Sequence, residues 1–448
     1  MPNAFSKEEK VAFDQLLEGF NDALVMSRNV NVYNYNQTDA ARTTAMPGVP
    51  VPPISPAGAN FGTVWRPQPY IMTSALTTPG IPITFTDKTQ LTVPASITTV
   101  RTSAWAMNSV ELRDALQEGR LAAGANQKLA SDVNVAVMQA ATSLGSLVVP
   151  IGTPAGSFDD IALCDAIMNE TGVPADSRYL SLSTRSYNGL AGNVVGSTRS
   201  FGANNRSDKA FERAYVGMVS SFETYKQDYA LRLAGNSATT ATTDTTSLGA
   251  GVGVNYLPRA TNTGVAGVLN VDNRFETIAV SSGALFQVGD AFTIQGIEAV
   301  HLITKQPTGQ PKTFRVVAIN GNNVTITPPI ISAADAPTEA QLQYKNCQRS
   351  GAGSATAAIT FLNTKVVGAT DLNCFWHKSA IELLPGRLAI PENAGVAVMR
   401  ATTDQGIEVV MQKQFNIASS LTEYRLDVLF GTAVLNTEMC GILLFDQP

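Results

Sequence analysis

Charge is scarce in this sequence. Of 448 residues only 15% are Asp, Glu, Lys or Arg, against about 25% in an average soluble protein. Thr, Ser, Asn and Gly must cover the surface instead, which suits a chain that buries much of that surface against copies of itself, since interface cores are depleted in charge. The net charge of −5 argues against a general nucleic-acid binder, because phosphate affinity comes from clustered Lys and Arg. Histidine is nearly absent, with two residues (His301 and His377), and the four cysteines (Cys164, Cys347, Cys374, Cys440) lie far apart. No C-x-x-C or H-x-x-x-H spacing occurs, so no zinc pattern is present, and scattered cysteines in a long chain fit reduced thiols better than a disulfide framework. No uninterrupted apolar run reaches the ~18 residues of a membrane span. The opening "MPNAFSKEEKVAF" has no apolar h-region, so no secretory signal is expected.

What is present is organisation. "SKEEKVAFDQLLEGFNDALVM" (6–26) begins with a capping box, Ser6 and Glu9, and repeats Phe13, Leu16, Leu17, Phe20 and Leu24 on one helical face. Asp14, Glu18 and Asp22 fall four apart beside it. They form either a solvated face or a docking stripe for a basic partner helix. Residues 47–94 hold ten of the 23 prolines, which excludes a helix or a central strand and predicts an extended, partly paired arm. "NSVELRDALQEGRLAAGANQKLASDVNVAVMQAATSLGSLV" opens with Asn108 and Glu111 in capping-box positions. As one helix over 108–144 it extends ~55 Å at 1.5 Å per residue. Its stripe of Ala122, Ala125, Leu129, Val133, Ala136, Ala140, Leu144 and Leu147 predicts close packing on a flat surface, and Gly119 and Gly124 mark weak points.

Further on, "FDDIALCDAIMNETG" predicts a helix ended by Gly172, "SRYLSLS" a strand, and "DKAFERAYVGMVSSFETYKQ" another helix. Two low-complexity stretches, 237–255 and 349–358, predict flexible crossings. Between them the period changes to two, helical patterns are absent, and "TFRVVAINGNNVTITPPI" carries a Gly-Asn hairpin turn. An all-β module spliced into a mixed parent is the economical description. Strand patterns then return in "NCFWHKSAIELL", "GIEVVMQKQFNI" and "EYRLDVLFGTAVLNTEMCGILLF".

The one suggestive pair for chemistry is Cys374 with His377. On a strand, residues three apart face opposite sides and cannot share a proton or a metal. "GAGVGVN" (249–255) has glycine spacing but neither a following helix nor a P-loop Lys, and no G-x-S-x-G occurs. Neither a catalytic residue, a cofactor site nor a metal site is expected.

The order of pieces, with "ATSLGSLV" (141–148), "NVDNRFETI" (270–278), "GDAFTIQGI" (289–297), "FRVVAINGNNVTITP" (314–328) and "NCFWHKSAIEL" (373–383), resembles the major capsid (coat) protein of tailed bacteriophages. The narrower resemblance is to the short-tailed-phage type with an inserted β-barrel domain. It implies an α+β fold divided into a helical arm (1–36), an extended loop region (37–107), a spine helix with the first part of a peripheral and axial domain (108–236), an inserted all-β domain (237–353) and returning strands (354–448). It implies a homo-oligomer of pentamers and hexamers in an icosahedral shell around double-stranded DNA. The DNA is a non-specific neighbour, the shell matures from a procapsid assembled in the host cytoplasm, and no membrane is involved. Its partners are a scaffolding protein, a portal protein and a decoration protein. In such proteins the arm meets the scaffold, which gives Asp14, Glu18 and Asp22 a basic partner. An inserted-domain loop there reaches the next capsomer, and the matching stretch "PRATNTGVAGVLNVDN" (258–273) has Arg259 and Asp272 as its charges. Two other readings stand beside this one. A shell subunit of a non-viral compartment can use the same fold, and a β-rich surface adhesin would also explain the Thr/Gly composition.

Overall fold

Two compact units make up the chain, Met1–Trp65 with Pro94–Met138 and Ile381–Ala433, and Arg66–Val93 with Gln139–Ala380 and Val434–Pro448. The computed structural model describes residues 7–447 except 34–63, 70–87, 98, 109, 112–114, 199–215, 228–230, 244–255, 265–266, 334–336, 350–356, 366–367, 389 and 391–394. Ser6 of the expected first capping box and most of the proline-rich region lie outside the described residues.

In the first unit, α1 (Lys7–Ala23) runs beside α2, the long helix Ala115–Leu144. The Asn108–Glu111 box forms reciprocally, with Glu111 N donating to Asn108 Oδ1 (2.8 Å) and Asn108 N to Glu111 Oε2 (3.0 Å). The buried face of α2 follows Ala125, Leu129, Ala130, Val133, Val137 and Met138. It leaves the expected line at Ala136 because a 3.6-residue period drifts from regular steps of three and four, and the larger Val137 and Met138 take the interior. Its neighbour on this face is α1 rather than a sheet alone: Asn126 Nδ2 donates to Leu16 O (2.9 Å) and Asn134 Nδ2 to Ala23 O (2.9 Å). A Cβ added at Gly124 would meet nothing within 4 Å, so no contact requires a glycine there.

The sheet of this unit is organised by the strand Leu421–Val434. It pairs antiparallel with Thr99–Asn108 and with Glu408–Asn416, and Ala397–Thr402 extends the latter side. Ile381–Pro385 and the short Asn31–Val32 complete the order. Alternating Tyr424, Leu426 and Val428 are buried, while Glu423 and Arg425 are exposed, the period of a sheet covered on one face.

Two larger sheets dominate the described part of the second unit, beside the two-stranded pairs Thr261–Gly264 with Gly267–Asn270 and Arg232–Ala234 with Ala369–Asp371. The first of the larger sheets is mixed, in the order Leu147–Pro150, Cys440–Leu444, Asn373–His377, Arg178–Ser183, Phe222–Gln227, Met218–Val219. Its inner strands are buried on both faces, so "CGILL" and "NCFWH" read as continuous runs without alternation. Strands on either side of the inserted module contribute to it, as expected. Helices α3 (Phe158–Thr171) and α4 (Thr184–Thr198) flank the strand Arg178–Ser183 in sequence. α3 is capped by Ser157 and Asp160 and ends at Gly172 in the left-handed region (φ +85°), where a Cβ would be strained.

Two expectations about this sheet are corrected. The described part of "DKAFERAYVGMVSSFETYKQ" is not helical but a turn and two strands. Ser220 and Ser221 have φ of +44° and +67°, and Phe222 is fully buried with its ring 6.1 Å from Phe375, so parallel pairing with Arg178–Ser183 overrides the helical spacing. "NCFWHKSAIELL" is not one strand either. A 3-10 turn, Lys378–Ala380, divides it into Asn373–His377 of this sheet and Ile381–Pro385 of the first unit's sheet.

The other sheet has seven strands, in the order Thr240–Thr242, Ala358–Phe361, Ala291–Val300, Pro307–Asn320, Asn323–Thr327, Glu276–Ala279, with Cys347–Arg349 also on Ala291–Val300. Its two ends meet: Thr243 bridges Val280, and Ser281 N donates to Thr242 O (3.0 Å). The sheet therefore curls into a barrel around Phe286, Phe292, Phe314 and Phe361. The expected Gly321-Asn322 turn closes the hairpin, with Gly321 at φ +59° as a type II′ loop requires of its first residue. The low-complexity stretch 237–255, expected to be a crossing, holds the strand Thr240–Thr242, and the strand Ala358–Phe361 begins at the last residue of the other, 349–358. One short helix, α5 (Glu339–Tyr344), interrupts the all-β pattern, capped reciprocally by Thr338 and Gln341.

Glu276 lies at the edge of the barrel, accepting a hydrogen bond from Ile330 N (2.6 Å). Burial raises its carboxyl to about 7, opposed by that bond. A carboxyl whose folded pKa lies above its unfolded value contributes stability that is complete below the unfolded pKa and lost as pH rises through the folded one. Wild-type melting temperature is expected to fall for this reason between pH 4.5 and about 7. Glu276→Gln, permanently neutral, is expected to remove that slope and to exceed wild type above neutrality. Parallel pH profiles for the two proteins contradict this role.

Candidate assembly surface and buried thiols

The apolar face of α1 is spent inside the chain. Phe13, Leu16, Phe20 and Leu24 are buried, and the helix is fastened at both ends. The Glu9 carboxylate forms an ion pair with Lys413 Nζ. Lys413 lies 5.6 Å over the Tyr424 ring, which stacks on Trp105 at 5.5 Å. At the far end Asn134 accepts from Met26 N (3.1 Å) and donates to Ala23 O. Glu9 thus serves a tertiary contact 404 positions away, which no local pattern could disclose.

Asp14, Glu18 and Asp22 are all exposed. Asp22 sits 3.7 Å from Arg28, with both side chains largely in water (88% and 47% exposed), so that contact is weak and screened. The three carboxylates form one row on a helix whose other side is anchored. What such a row can do chemically is recognise a basic segment at short range.

The thiols have a different character. All four cysteines are buried and unbridged. Burial pushes the Cys347, Cys374 and Cys440 thiols up to about 12 and Cys164 higher still, so none supplies a thiolate near neutral pH. Cys374 receives Gln227 Nε2 (3.7 Å), while His377, three positions on, bonds through Nδ1 to Ser379 Oγ (2.6 Å). Burial lowers the imidazole pKa. Among the described residues no group of three His, Cys, Asp or Glu side chains could hold a metal ion.

Sequence reading missed the buried charges. Arg178 is fully buried and spans Pro174 O (2.8 Å), Asp165 Oδ1 (2.5 Å), Asn169 Oδ1 (2.8 Å) and Val173 O (2.5 Å). Asp290 accepts from Asn236 Nδ2 (2.7 Å), Asn363 Nδ2 (2.9 Å) and Gln287 N (2.8 Å), one asparagine on each crossing of the module. Arg315 Nε donates to Gly289 O (3.0 Å), and burial lowers its pKa to about 10. Lys312 pairs with Glu438 in near-complete burial. The available signal was a lone charge in an apolar strand, as in "TFRVV" and "GDAF". In the stretch 258–273, Asp272 is committed to Arg274 (2.6 Å). That leaves Arg259, exposed, as its other charge, while the Arg259 backbone is held by Asn273 (3.0 and 2.8 Å). A hairpin of Thr261–Gly264 and Gly267–Asn270 lies between them.

No helix among the described residues is long and apolar enough to cross a membrane. A family model described as "P22 coat protein - gene protein 5" matches residues 1–446. Similar solved structures include one from Mycobacterium phage Che8, at 8% identity over 94% of this chain and 91% of that one, TM-score 0.43. The capsid of cyanophage P-SCSP1u matches at 10% identity over 86% and 84%, TM-score 0.39. The CUS-3 coat protein I-domain is 38% identical over 28% of this chain and 96% of that one, TM-score 0.21. The match over nearly the whole length places this chain in the P22 coat protein family, as a structural subunit of a phage capsid.

Proposed function

We propose that this subunit assembles into pentamers and hexamers of an icosahedral shell around double-stranded DNA, through a procapsid nucleated on an internal scaffolding protein. We assign the scaffold contact to Asp14, Glu18 and Asp22. The observation that carries the assignment is the anchoring of α1: with Phe13, Leu16 and Phe20 buried in its own chain, the surface the helix leaves to a partner carries Asp14, Glu18 and Asp22. A portal protein at one vertex and a decoration protein outside complete the proposed partners, and the role is structural rather than catalytic. The proposed division keeps the arm (1–36), the loop region (37–107) and the spine with its peripheral and axial parts. It extends the inserted domain from 237–353 to residue 363, because Ala358–Phe361 is one of the barrel strands.

The test reverses all three charges to Lys. No buried group changes, so the subunit is expected to melt as wild type does. Scaffold binding is expected to weaken roughly tenfold at low salt, with malformed shells as the product. The wild-type interaction should itself fade as ionic strength shortens the screening length below about 8 Å. Normal scaffold-dependent assembly of the reversed protein at low and high salt alike leaves the stripe as plain solvated surface.

A further inference from the structure

The chain enters and leaves the inserted barrel through one neck. On the parent side Arg232–Ala234 pairs antiparallel with Ala369–Asp371, and on the barrel side Thr240–Thr242 pairs antiparallel with Ala358–Phe361. Between the two pairs, Asn236 N donates to Asn363 O (2.7 Å) and Phe361 N to Thr239 O (3.1 Å). The two crossings thus run side by side from the parent into the barrel. They approach so closely that a Cβ added at Gly235 would lie 1.6 Å from Lys365 O, so only glycine fits there.

Asp290 closes this neck from the barrel wall. It is fully buried, and its carboxylate accepts from Asn236 Nδ2 on the entering chain and Asn363 Nδ2 on the leaving one. Each asparagine is committed further. Asn236 donates to Leu285 O (2.9 Å) and accepts from Ala238 N (2.9 Å), while Asn363 donates to Ala234 O (3.2 Å) and accepts from Ala291 N (3.1 Å). Neither crossing can swing without taking donors from a buried carboxylate, which is costly. Two other stretches tie down the body of the barrel. Leu302 N donates to Thr171 O at the end of α3 (2.8 Å), and the His301 ring lies 2.8 Å from where a Cβ at Gly172 would be. The strand Pro307–Asn320 is fastened through Lys312 to Glu438 and through Thr313 to Ser146 O. A body tied at its neck alone can pivot. One tied also at a turn and along a strand cannot, unless buried bonds break.

We infer that the inserted barrel and the six-stranded sheet of its parent move as one rigid body, with Asp290 as the positioning residue that fixes the neck. The inference concerns the single subunit. Its consequence for assembly rests on the shell of pentamers and hexamers proposed above: differences between subunit positions must be taken up elsewhere than at this neck.

Spin labels on the full-length subunit test the rigid body. Ala318→Cys on the barrel and Glu170→Cys on α3 place the labels at exposed positions, and the four native thiols are buried. A single narrow distance distribution is expected, and a broad or two-peaked one overturns the inference. Asp290→Asn keeps the size of the side chain but turns one acceptor into a donor facing the asparagines. In that variant the amides of Asn236, Gln287 and Ala291 are expected to exchange about tenfold faster, and the label distribution to broaden, with the Ile319 and Val324 amides unchanged. Asn236→Ala, which removes one donor, is expected to act in the same direction and more weakly. Unchanged neck exchange in both variants overturns the role of Asp290. An equal rise at Ile319 and Val324 does so too, because Asp290 is then a general stability residue. In shells, the angle between barrel and sheet is expected to be the same in every subunit, and an angle that varies with position overturns the rigid body. If no pentamers and hexamers form, the assembly reading fails while the label distances still decide the inference.

Discussion

A fragment of residues 236–363 melts cooperatively with a β-type circular dichroism spectrum, and a fragment of 237–353 does not: this is the outcome expected from the position of one strand. Ala358–Phe361 lies between Thr240–Thr242 and Ala291–Val300. Cutting at 353 removes Ile359 and Phe361, which are 0% and 3% exposed, and opens the barrel between two strands. Phe361 also makes edge contacts with Phe286 and Phe292, at 5.1 and 6.4 Å between centroids. Burial of two such side chains contributes about 3–6 kcal/mol, comparable to the whole stability of a small domain. The shorter fragment also loses Asn236 and Asn363, two of the donors to Asp290, leaving a buried carboxylate short of partners. Urea titrations of the two fragments decide the matter. A cooperative transition of equal midpoint in 237–353 contradicts the closed-barrel account.

The second large effect concerns the buried pair Lys312 and Glu438, whose side chains are 4% and 12% exposed. Glu438→Ala is expected to destabilise the chain by about 3–5 kcal/mol, because it strands a lysine charge away from water. The paired replacement Lys312→Met with Glu438→Leu is expected to remain within about 1 kcal/mol of wild type, since desolvating two charges consumes most of what their attraction returns. The same strand reaches Ser146 O through Thr313 Oγ1 (2.6 Å) and Gly145 O through Arg315 (3.5 Å). Those two carbonyls follow the C-terminus of α2, so the barrel strand supplies donors where the helix has run out of its own. Equal losses in the single and paired variants, measured by chemical denaturation, show that Lys312 and Glu438 act through packing and not through charge.

The sequence by itself determined the elements whose information is local. α1 and α2 follow from apolar spacing, the Asn108–Glu111 box from two residues, the end of α3 from Gly172, and the hairpin from Gly321-Asn322. Scarce charge and the order of short stretches pointed to a capsid subunit, to which the family match then assigned the chain. Tertiary structure decided the rest. Phe222–Gln227 has helical spacing yet is a strand, because Arg178–Ser183 offers a parallel edge and Phe375 a ring for Phe222. "NCFWHKSAIELL" reads as one strand yet serves two sheets, because partners far along the chain pair its two halves separately. Ala358–Phe361 directly follows an expected linker, and only the closing barrel gives Ile359 and Phe361 an interior to fill. Glu9, Asp290, Lys312 and Arg315 look like surface charges, and each is held by at least one partner 26 to 404 positions distant. Periodicity and caps are written in neighbouring residues. Pairing register and buried ion partners are relations between distant ones, which no window along the chain contains.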